Sequence, residues 1–471
     1  MHAAAPERSR ALLAALLGAT AALKVALAWA YPGFLSGDDL EIVLTAARSA
    51  VHLDYSPWPI RSLFHPLVLV LPVMKTGVAA GLASPRWLTL LAALPTAAFS
   101  TLSVWLAYRV ARALGAAEAT ALAAAFLCAT AGIPFAHGAT PYPRPISAAL
   151  LLAAFFLLVR RAAGWRDAAA AGVLTAAALA VRWSEGLAVV PLFVVALATD
   201  SGRTGRRAVA LLVGFAAGVL VFVGAFDDLT WGAPFSSLKA FVEFLGQPHE
   251  AFTPRPPWWY AGMLLQWAGP VVVVLCAAGV SDRRARWPLF VAVAIVALLS
   301  PTPIKSLRYT IAASGFLAVA AAFGWERLRR GGRLGRAVAA ACLVAAVPLG
   351  AERTLHLLRT KTQSAVEAAQ FLATRRPAIR TVALEQPWAY GEALYLGSRV
   401  RIVDITSSGR LEPEAVIRAA EGCDALGAYR ADVGEELERA LVRSGLRRTA
   451  QFQEGISPGV VIYERSEGRT R

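Results

Sequence analysis

Cysteine is scarce in this sequence, and its placement excludes two kinds of site. Three of the four, Cys128, Cys276 and Cys342, lie in apolar runs, and Cys423 lies in the polar C-terminal part. None has metal-ligand spacing or an evident disulfide partner, so they read as packing residues. Charge is scarce too: 17% of residues are charged and 57% hydrophobic, far from the balance of a soluble chain. Acids are fewer than bases, 31 against 47, for a net charge of +16. In a soluble protein that excess would point to nucleic acid. Here it sits in short loops between apolar runs, the positive-inside pattern, so nucleic acid is not an expected partner. The first run lacks a small-residue cleavage motif and is interrupted by Lys24, which argues against a cleaved signal peptide.

What remains is apolar and helical. A span needs about 20 residues, and candidates lie at residues 12–30, 87–108, 119–135, 146–159, 168–181, 187–199, 208–226, 258–280, 288–299, 310–325 and 337–350. Several are short enough to require tilt. The expected fold is a polytopic α-helical membrane protein of about 11 transmembrane helices, followed by a small C-terminal α/β soluble domain. The transmembrane module is expected over residues 1–359 and the soluble domain over 360–471.

With a cytoplasmic N-terminus, Arg109 and Arg112, Arg160, Arg161 and Arg166, Arg203, Arg206 and Arg207, Arg283, Arg284 and Arg286, and the cluster from Arg327 to Arg336 all fall inside. That holds only if residues 67–82 do not cross. Pro66, Pro72, Lys75 and Gly77 suit an interfacial or re-entrant piece. Four segments then share the outer face, 31–86, 136–145, 227–257 and 301–309, and the C-terminal domain is extracytoplasmic. A plasma (inner) membrane is the expected location. In residues 360–464, strand and helix patterns alternate, with strands at 380–384, 400–405, 425–429, 449–453 and 459–463 and helices at 364–375, 412–420 and 435–443. No Gly-rich phosphate loop occurs there.

The densest chemistry lies at 36–72. Asp38, Asp39 and Glu41 follow directly on the first apolar run; Asp38 and Glu41, three apart, would share a helix face, with Asp39 offset. Carboxylates held at a bilayer interface cost desolvation, which makes them candidates for proton transfer or cation binding; an ordinary solvated acidic loop is the competing reading. Asp54, Tyr55, Arg61 and His65 follow in the same stretch. The loop at 227–257 begins Asp227, Asp228, Leu229, Thr230, Trp231 and continues through Lys239, Glu243 and His249. The two aspartates would orient a substrate or end a helix. At 301–309, Lys305 and Arg308 would share a helical face, to bind an anionic substrate or a lipid headgroup. Arg144 and Arg182 lie at outer helix ends, against the charge trend, and a phosphate would be a suitable partner. Tyr31, Trp58, Trp231, Trp258 and Trp259 would flank a sugar or anchor the interface, the aromatic belt being the simpler reading for the last two.

In order, Gly37-Asp38-Asp39, His52-Leu53-Asp54-Tyr55, Ile60-Arg61-Ser62, Asp227-Asp228-Leu229-Thr230-Trp231-Gly232 and Ile304-Lys305-Ser306-Leu307-Arg308-Tyr309 resemble the loop motifs of the GT-C fold mannosyltransferases (glycosyltransferase family 22) that build GPI anchors and dolichol-linked oligosaccharides. The resemblance covers roughly residues 10 to 350. Gly37 replaces a proline, Ile304 a histidine and Ser306 a glutamate, and the Asn and Glu expected after Arg144 are absent. The Arg- and Ala-rich composition suggests a bacterial relative.

The resemblance implies inverting transfer of a hexose, mannose being the first candidate, from a polyprenyl-phosphate donor to a hydroxyl of a lipid-linked or envelope acceptor outside the membrane. Asp38 would be the base and Asp39 the second choice; Lys305 and Arg308 would bind the donor phosphate, with Arg61, Arg144 and Arg182 assisting. Glu41, Asp54, Tyr55, His65, Asp227, Asp228 and Trp231 would orient substrate. The partners would be the polyprenyl-phosphate sugar, a glycolipid or glycan acceptor and membrane lipids, with no cofactor and no metal. A lipid-linked-sugar transporter or flippase, with Lys24 and Glu185 as its intramembrane charges, and a non-catalytic envelope scaffold are the alternatives; neither broken-repeat symmetry nor midplane charge pairs favour the first.

Overall fold

Ser36 is extended, with φ −164° and ψ 164°, and its carbonyl accepts the first turn of the helix Gly37–Ala50. Asp38 and Asp39 stand in that first turn, where the helix dipole favours negative charge, and Arg48 in the last. Beyond it, Pro57 and Pro59 keep the chain irregular until Pro66 helps open a wide π-helical turn, His65–Val70, that runs into the helix Leu71–Ala79. The computed structural model describes residues 4–199, 205–246, 254–302, 304–375, 379–397, 399–407, 410–453 and 459–465. Arg203, His249 and the tail 466–471 lie outside the described residues.

The rest of the chain up to residue 359 is mostly helical among the described residues. Among the described residues, five segments are long and apolar enough to cross a membrane: Glu7–Ala30, Pro85–Ala113, Arg206–Trp231, Leu307–Arg330 and Gly332–Thr374. Shorter apolar helices stand between them, and the chain is a multi-pass membrane protein. Two of the expected spans are broken. Segment 119–135 divides into Glu118–Ala129 and Gly132–His137, where a Cβ on Gly132 would lie 2.9 Å from the Gly350 carbonyl oxygen of the crossing helix Gly332–Arg359. Segment 258–280 divides into Trp259–Gly262, Leu264–Trp267 and Pro270–Gly279; Gly269 has φ +83° and Pro270 offers no amide to continue the preceding turn.

Without water to drive them together, membrane helices associate where small residues let backbones meet. A Cβ on Gly214 would lie 2.0 Å from the Ala169 oxygen, and one on Gly324 would lie 1.7 Å from the Leu275 oxygen. These glycines set the pairings of Trp165–Val181 with Arg206–Val219 and of Pro270–Gly279 with Ile311–Arg330.

The loops fall into two groups. Arg284 reaches the Gly115 oxygen at 3.5 Å and Glu326 at 3.1 Å, so the turns near 115, 283 and 327 meet at one end. Arg86 reaches the Trp29 oxygen at 3.0 Å, so Pro85–Ala113 starts where the first helix, Ala4–Ala30, finishes. Residues 65–79 between them therefore return to the side they left.

The C-terminal part is a five-stranded sheet with strands β1 (Thr381–Leu384), β2 (Arg401–Asp404), β5 (Ala425–Tyr429), β6 (Leu446–Phe452) and β7 (Val460–Arg465), and a two-residue hairpin pair, β3 (Thr406–Ser407) and β4 (Arg410–Leu411). The order is β2-β1-β5-β7-β6: the first three strands are parallel, the last three antiparallel. The central strand β5 is nearly all apolar and buried, as a strand covered on both faces must be.

This sheet does not stand apart. Its covering helix, Gln363–Thr374, belongs to the same apolar core as the acidic helix, with Val366, Ala369 and Leu372 contributed by the one and Leu40, Val43 and Leu44 by the other. The linker binds as a strand would: the Phe34 amide donates to Thr362 Oγ1 at 2.9 Å, the Thr362 amide donates to the Phe34 oxygen at 3.1 Å, and Lys361 Nζ donates to the Tyr31 oxygen at 2.7 Å. The fit is tight at Gly33, where a Cβ would lie 2.8 Å from the Gln363 nitrogen. Gly33→Ala is expected to cost about 1–3 kcal/mol through backbone displacement. Thermal unfolding and limited proteolysis around 360–375 would read it; unchanged resistance would mean the junction yields freely.

Candidate active site

The helix Gly37–Ala50 presents Asp38, Glu41 and Thr45 to one cleft, as residues three, four and seven apart must. Arg61, His65 and Arg182 line the same cleft, and Trp183 and Phe241 close its aromatic side. Asp38 is the centre: its carboxylate is bound by Arg61, by Arg182 at 3.3 Å and by Arg308 at 3.8 Å. Burial alone would raise the Asp38 carboxyl, but the guanidinia of Arg182, Arg61 and Arg308 outweigh it and hold it well below the usual carboxylate range. Three guanidinia face the Asp38 carboxylate, and Glu41 is the other acid in the cleft, so bases outnumber acids there.

Asp39, offset on the helix, is fully buried and turns away from the cleft. Its oxygens accept from the Leu35 amide at 3.0 Å and from Ser36 Oγ at 3.3 Å. Burial pushes this carboxyl up to about 6, against the opposing pull of the Leu35 amide, Lys361 and Arg308. The folded value lies above the unfolded one near 4, so the stability this group contributes is complete below about pH 4 and is lost as pH rises through about 6. Asp39→Asn should remove that loss. Its melting temperature relative to wild type should climb from pH 4 to pH 7, and a pH-independent difference would refute the assignment.

The remaining sequence candidates divide. Glu41 accepts from the Tyr55 hydroxyl and, at 2.9 Å, from the Trp58 amide, so Glu41 and Tyr55 brace the irregular loop beside the cleft. Asp54 is exposed. Arg144 is placed differently from Arg182: it is 2% exposed, donates to Glu185 at 2.7 Å, to Ser184 Oγ at 3.1 Å and to Tyr142 at 3.2 Å, and lies over the Tyr309 ring at 4.2 Å. Its charge is cancelled by a partner that the sequence reading left unpaired. Lys24, the other intramembrane charge, donates to Ser100 Oγ at 2.7 Å.

Lys305 does not join Arg308. The chain is extended at Ser306, with φ −145° and ψ 146°, and the 3-10 turn Leu307–Thr310 begins only afterwards, so the two bases share no helical face. Lys305 Nζ instead donates to the Thr302 and Arg255 carbonyls, the second at 2.8 Å. Asp227 and Trp231 also lie off the cleft lining. Asp227 accepts from the Ser237 amide at 2.9 Å and hydroxyl at 2.7 Å, seating the helix Ser236–Leu245 that carries Phe241 to the cleft; Asp228 is exposed. Thr45 and Lys361 were missed, and Glu185 stood out only as an intramembrane charge, not as the partner of Arg144. Thr45 left a signal in its spacing from Asp38 and Glu41.

Among the described residues, no group of three or more His, Cys, Asp or Glu side chains is arranged to hold a metal ion. The excess charge at Asp38 is of the sign that attracts anions.

The sequence model of the Alg9-like mannosyltransferase family matches residues 48–383. Arg61, Arg144, Arg182 and Arg308 fall inside that match, and Asp38 and Asp39 just before it. No curated protein sequence matches the chain. Among solved structures, ArnT from Cupriavidus metallidurans in the apo state is 14% identical with a TM-score of 0.63, over 95% of this chain and 97% of that one. The same protein bound to undecaprenyl phosphate is 13% identical, also at 0.63, over 97% and 98%. The apo oligosaccharyltransferase of Archaeoglobus fulgidus is 11% identical at 0.52, over 88% of this chain and 69% of that one. These likenesses carry the fold: a GT-C membrane glycosyltransferase with a small C-terminal sheet.

Proposed function

Because the chain belongs to the Alg9-like mannosyltransferase family of GT-C glycosyltransferases, we propose that it moves a hexose, mannose first among candidates, from a polyprenyl-phosphate donor to a hydroxyl of a lipid-linked or envelope acceptor, with inversion at the anomeric carbon. The observation that carries this reading is the convergence of Arg61, Arg182 and Arg308 on the Asp38 carboxylate. The donor is a phosphodiester with one negative charge. As the acceptor oxygen bonds to the anomeric carbon, the bond from that carbon to the phosphate oxygen breaks and its electron pair stays on the phosphate. The leaving polyprenyl phosphate gains a second charge, and guanidinium groups that outnumber the neighbouring carboxylates are suited to it. The acceptor's proton passes to Asp38.

The same arrangement explains how Asp38 becomes basic enough. Alone with three guanidinia it is a poor base; a phosphate among those arginines draws off their charge, and the carboxyl rises toward the range where proton transfer is efficient. In this reading the arginines supply the charge stabilisation and no metal is required. Arg144 and Lys305 are structural.

The cleft opens at the end where Ala4–Ala30 finishes and Pro85–Ala113 starts. With the arginine-rich turns cytoplasmic, that end is the extracytoplasmic face of the plasma membrane, the N-terminus is inside and the C-terminal sheet lies outside, sharing a core with the helix that carries Asp38. Purified protein in lipid nanodiscs, given radiolabelled polyprenyl-phosphate hexoses and envelope glycolipids, should transfer label to the glycolipid and none from nucleotide sugars. Transfer from a nucleotide sugar alone would overturn the proposal.

A further inference from the structure

Two polar side chains in the cleft are left unexplained by the phosphate and the base. Thr45 is 2% exposed and its hydroxyl has no hydrogen-bond partner in the protein; His65 is 1% exposed and neither ring nitrogen has one. Buried hydroxyls and imidazoles are almost always paired, since leaving one unpaired costs about 1–3 kcal/mol. Both line the cleft that holds Asp38 and Arg61. Thr45 stands two helical turns from Asp38 on the same face of Gly37–Ala50, and His65 comes from a different element, at the start of His65–Val70.

The cleft's cavity of about 40 Å³ exceeds the ~10–15 Å³ that one water-sized group occupies. It therefore admits several hydroxyls, though the ring behind them must lie toward the opening. Trp183 and Phe241, with ring centroids 6.2 Å apart, form an apolar wall beside it, and Trp183 is fixed by its indole donating to the Ile60 oxygen at 3.1 Å. Neutral donors and acceptors, aromatic faces and a cationic cluster lining one cleft suit a hexosyl group on a phosphate.

We infer that Thr45 and His65 are the residues that read the hydroxyls of the transferred sugar, a specificity subsite distinct from the arginines that hold its phosphate. This rests on the proposed polyprenyl-phosphate donor. The hydroxyl of Thr45 and the imidazole of His65 each donate one hydrogen bond and accept another, so together they select for the position of sugar hydroxyls rather than for charge.

The test is binding by the full-length protein in nanodiscs, with two probes: polyprenyl phosphate and polyprenyl-phosphate mannose. Thr45→Val and His65→Phe should bind the sugar-free lipid within about twofold of wild type, and the sugar-bearing lipid about 5–10-fold more weakly each, as expected for a lost buried hydrogen bond. Thr45→Ser and His65→Gln, which keep hydrogen-bonding groups, should recover much of that loss. Thr45→Val, nearly isosteric, should also melt no lower than wild type, which separates a binding defect from misfolding. Equal weakening toward both lipids, or none toward either, would overturn the subsite while leaving the donor reading intact; the second result would mean the two groups serve ordered water only. A defect confined to the acceptor's KM would also overturn it. If wild type binds neither lipid, the donor proposal itself falls, and the subsite with it.

Discussion

Asp38→Asn should lower turnover about 10²–10⁴-fold, the contribution of a positioned general base, while tightening the grip on polyprenyl phosphate. The two effects pull in opposite directions for one reason. In the free site the carboxylate occupies guanidinia that the phosphate needs, Arg182 at 3.3 Å and Arg308 at 3.8 Å among them. Neutralising it removes the acceptor of the proton and also removes the phosphate's competitor. The amide keeps the shape and can still accept from an arginine, so size-exclusion behaviour in detergent should stay that of wild type. Steady-state transfer and direct lipid binding read the two effects separately. A variant that loses turnover and binds phosphate more weakly would mean the carboxylate organises the arginines rather than opposing the substrate; wild-type turnover would remove Asp38 from the chemistry.

The second large effect is on stability. Arg144→Leu alone should destabilise the protein by about 3–5 kcal/mol, because it leaves the Glu185 carboxylate buried without its cation. Arg144→Leu with Glu185→Leu should regain most of that, since a buried ion pair replaced by apolar groups of similar volume is often close to neutral. Denaturation of the two single variants and the double variant gives the coupling directly. Should Arg144→Leu instead fold normally and fail to bind polyprenyl phosphate, Arg144 belongs with Arg61, Arg182 and Arg308 after all.

Much of this site was legible in the chain, and the divisions have physical causes. Asp38 and Glu41 could be placed on one face because the helix Gly37–Ala50 is regular and its 3.6-residue repeat carries side-chain direction. The same argument failed for Lys305 and Arg308, because an extended Ser306 breaks the repeat between them. Spacing has meaning only where the backbone is continuous. Arg182 and Arg144 both looked like arginines in search of an anion; what separated them was Glu185, close to Arg182 in sequence yet folded back onto Arg144. Contacts of that kind depend on how helices cross, which no local pattern encodes. The C-terminal sheet was nearly complete from alternation alone, since β1, β5 and β7 are short apolar runs bounded by polar residues. Missing were the two-residue strands β3 and β4, too short to alternate, and the breaks at 130–132 and 263–269, which arise from glycine-mediated contact and from Gly269-Pro270.

The pairing of Phe34 with Thr362 joins positions 328 residues apart. Ribosomes deliver the carboxylate-bearing segment first and its brace last, so every nascent chain passes through a stage in which the acidic helix has only part of its final apolar core. That core holds Leu40, Val43 and Leu44 together with residues from both ends of the chain, and an incomplete core is what quality-control proteases and chaperones recognise. Chains ending before residue 360 would lack the Phe34–Thr362 pairing, and their degradation in cells should be faster than that of the full-length chain.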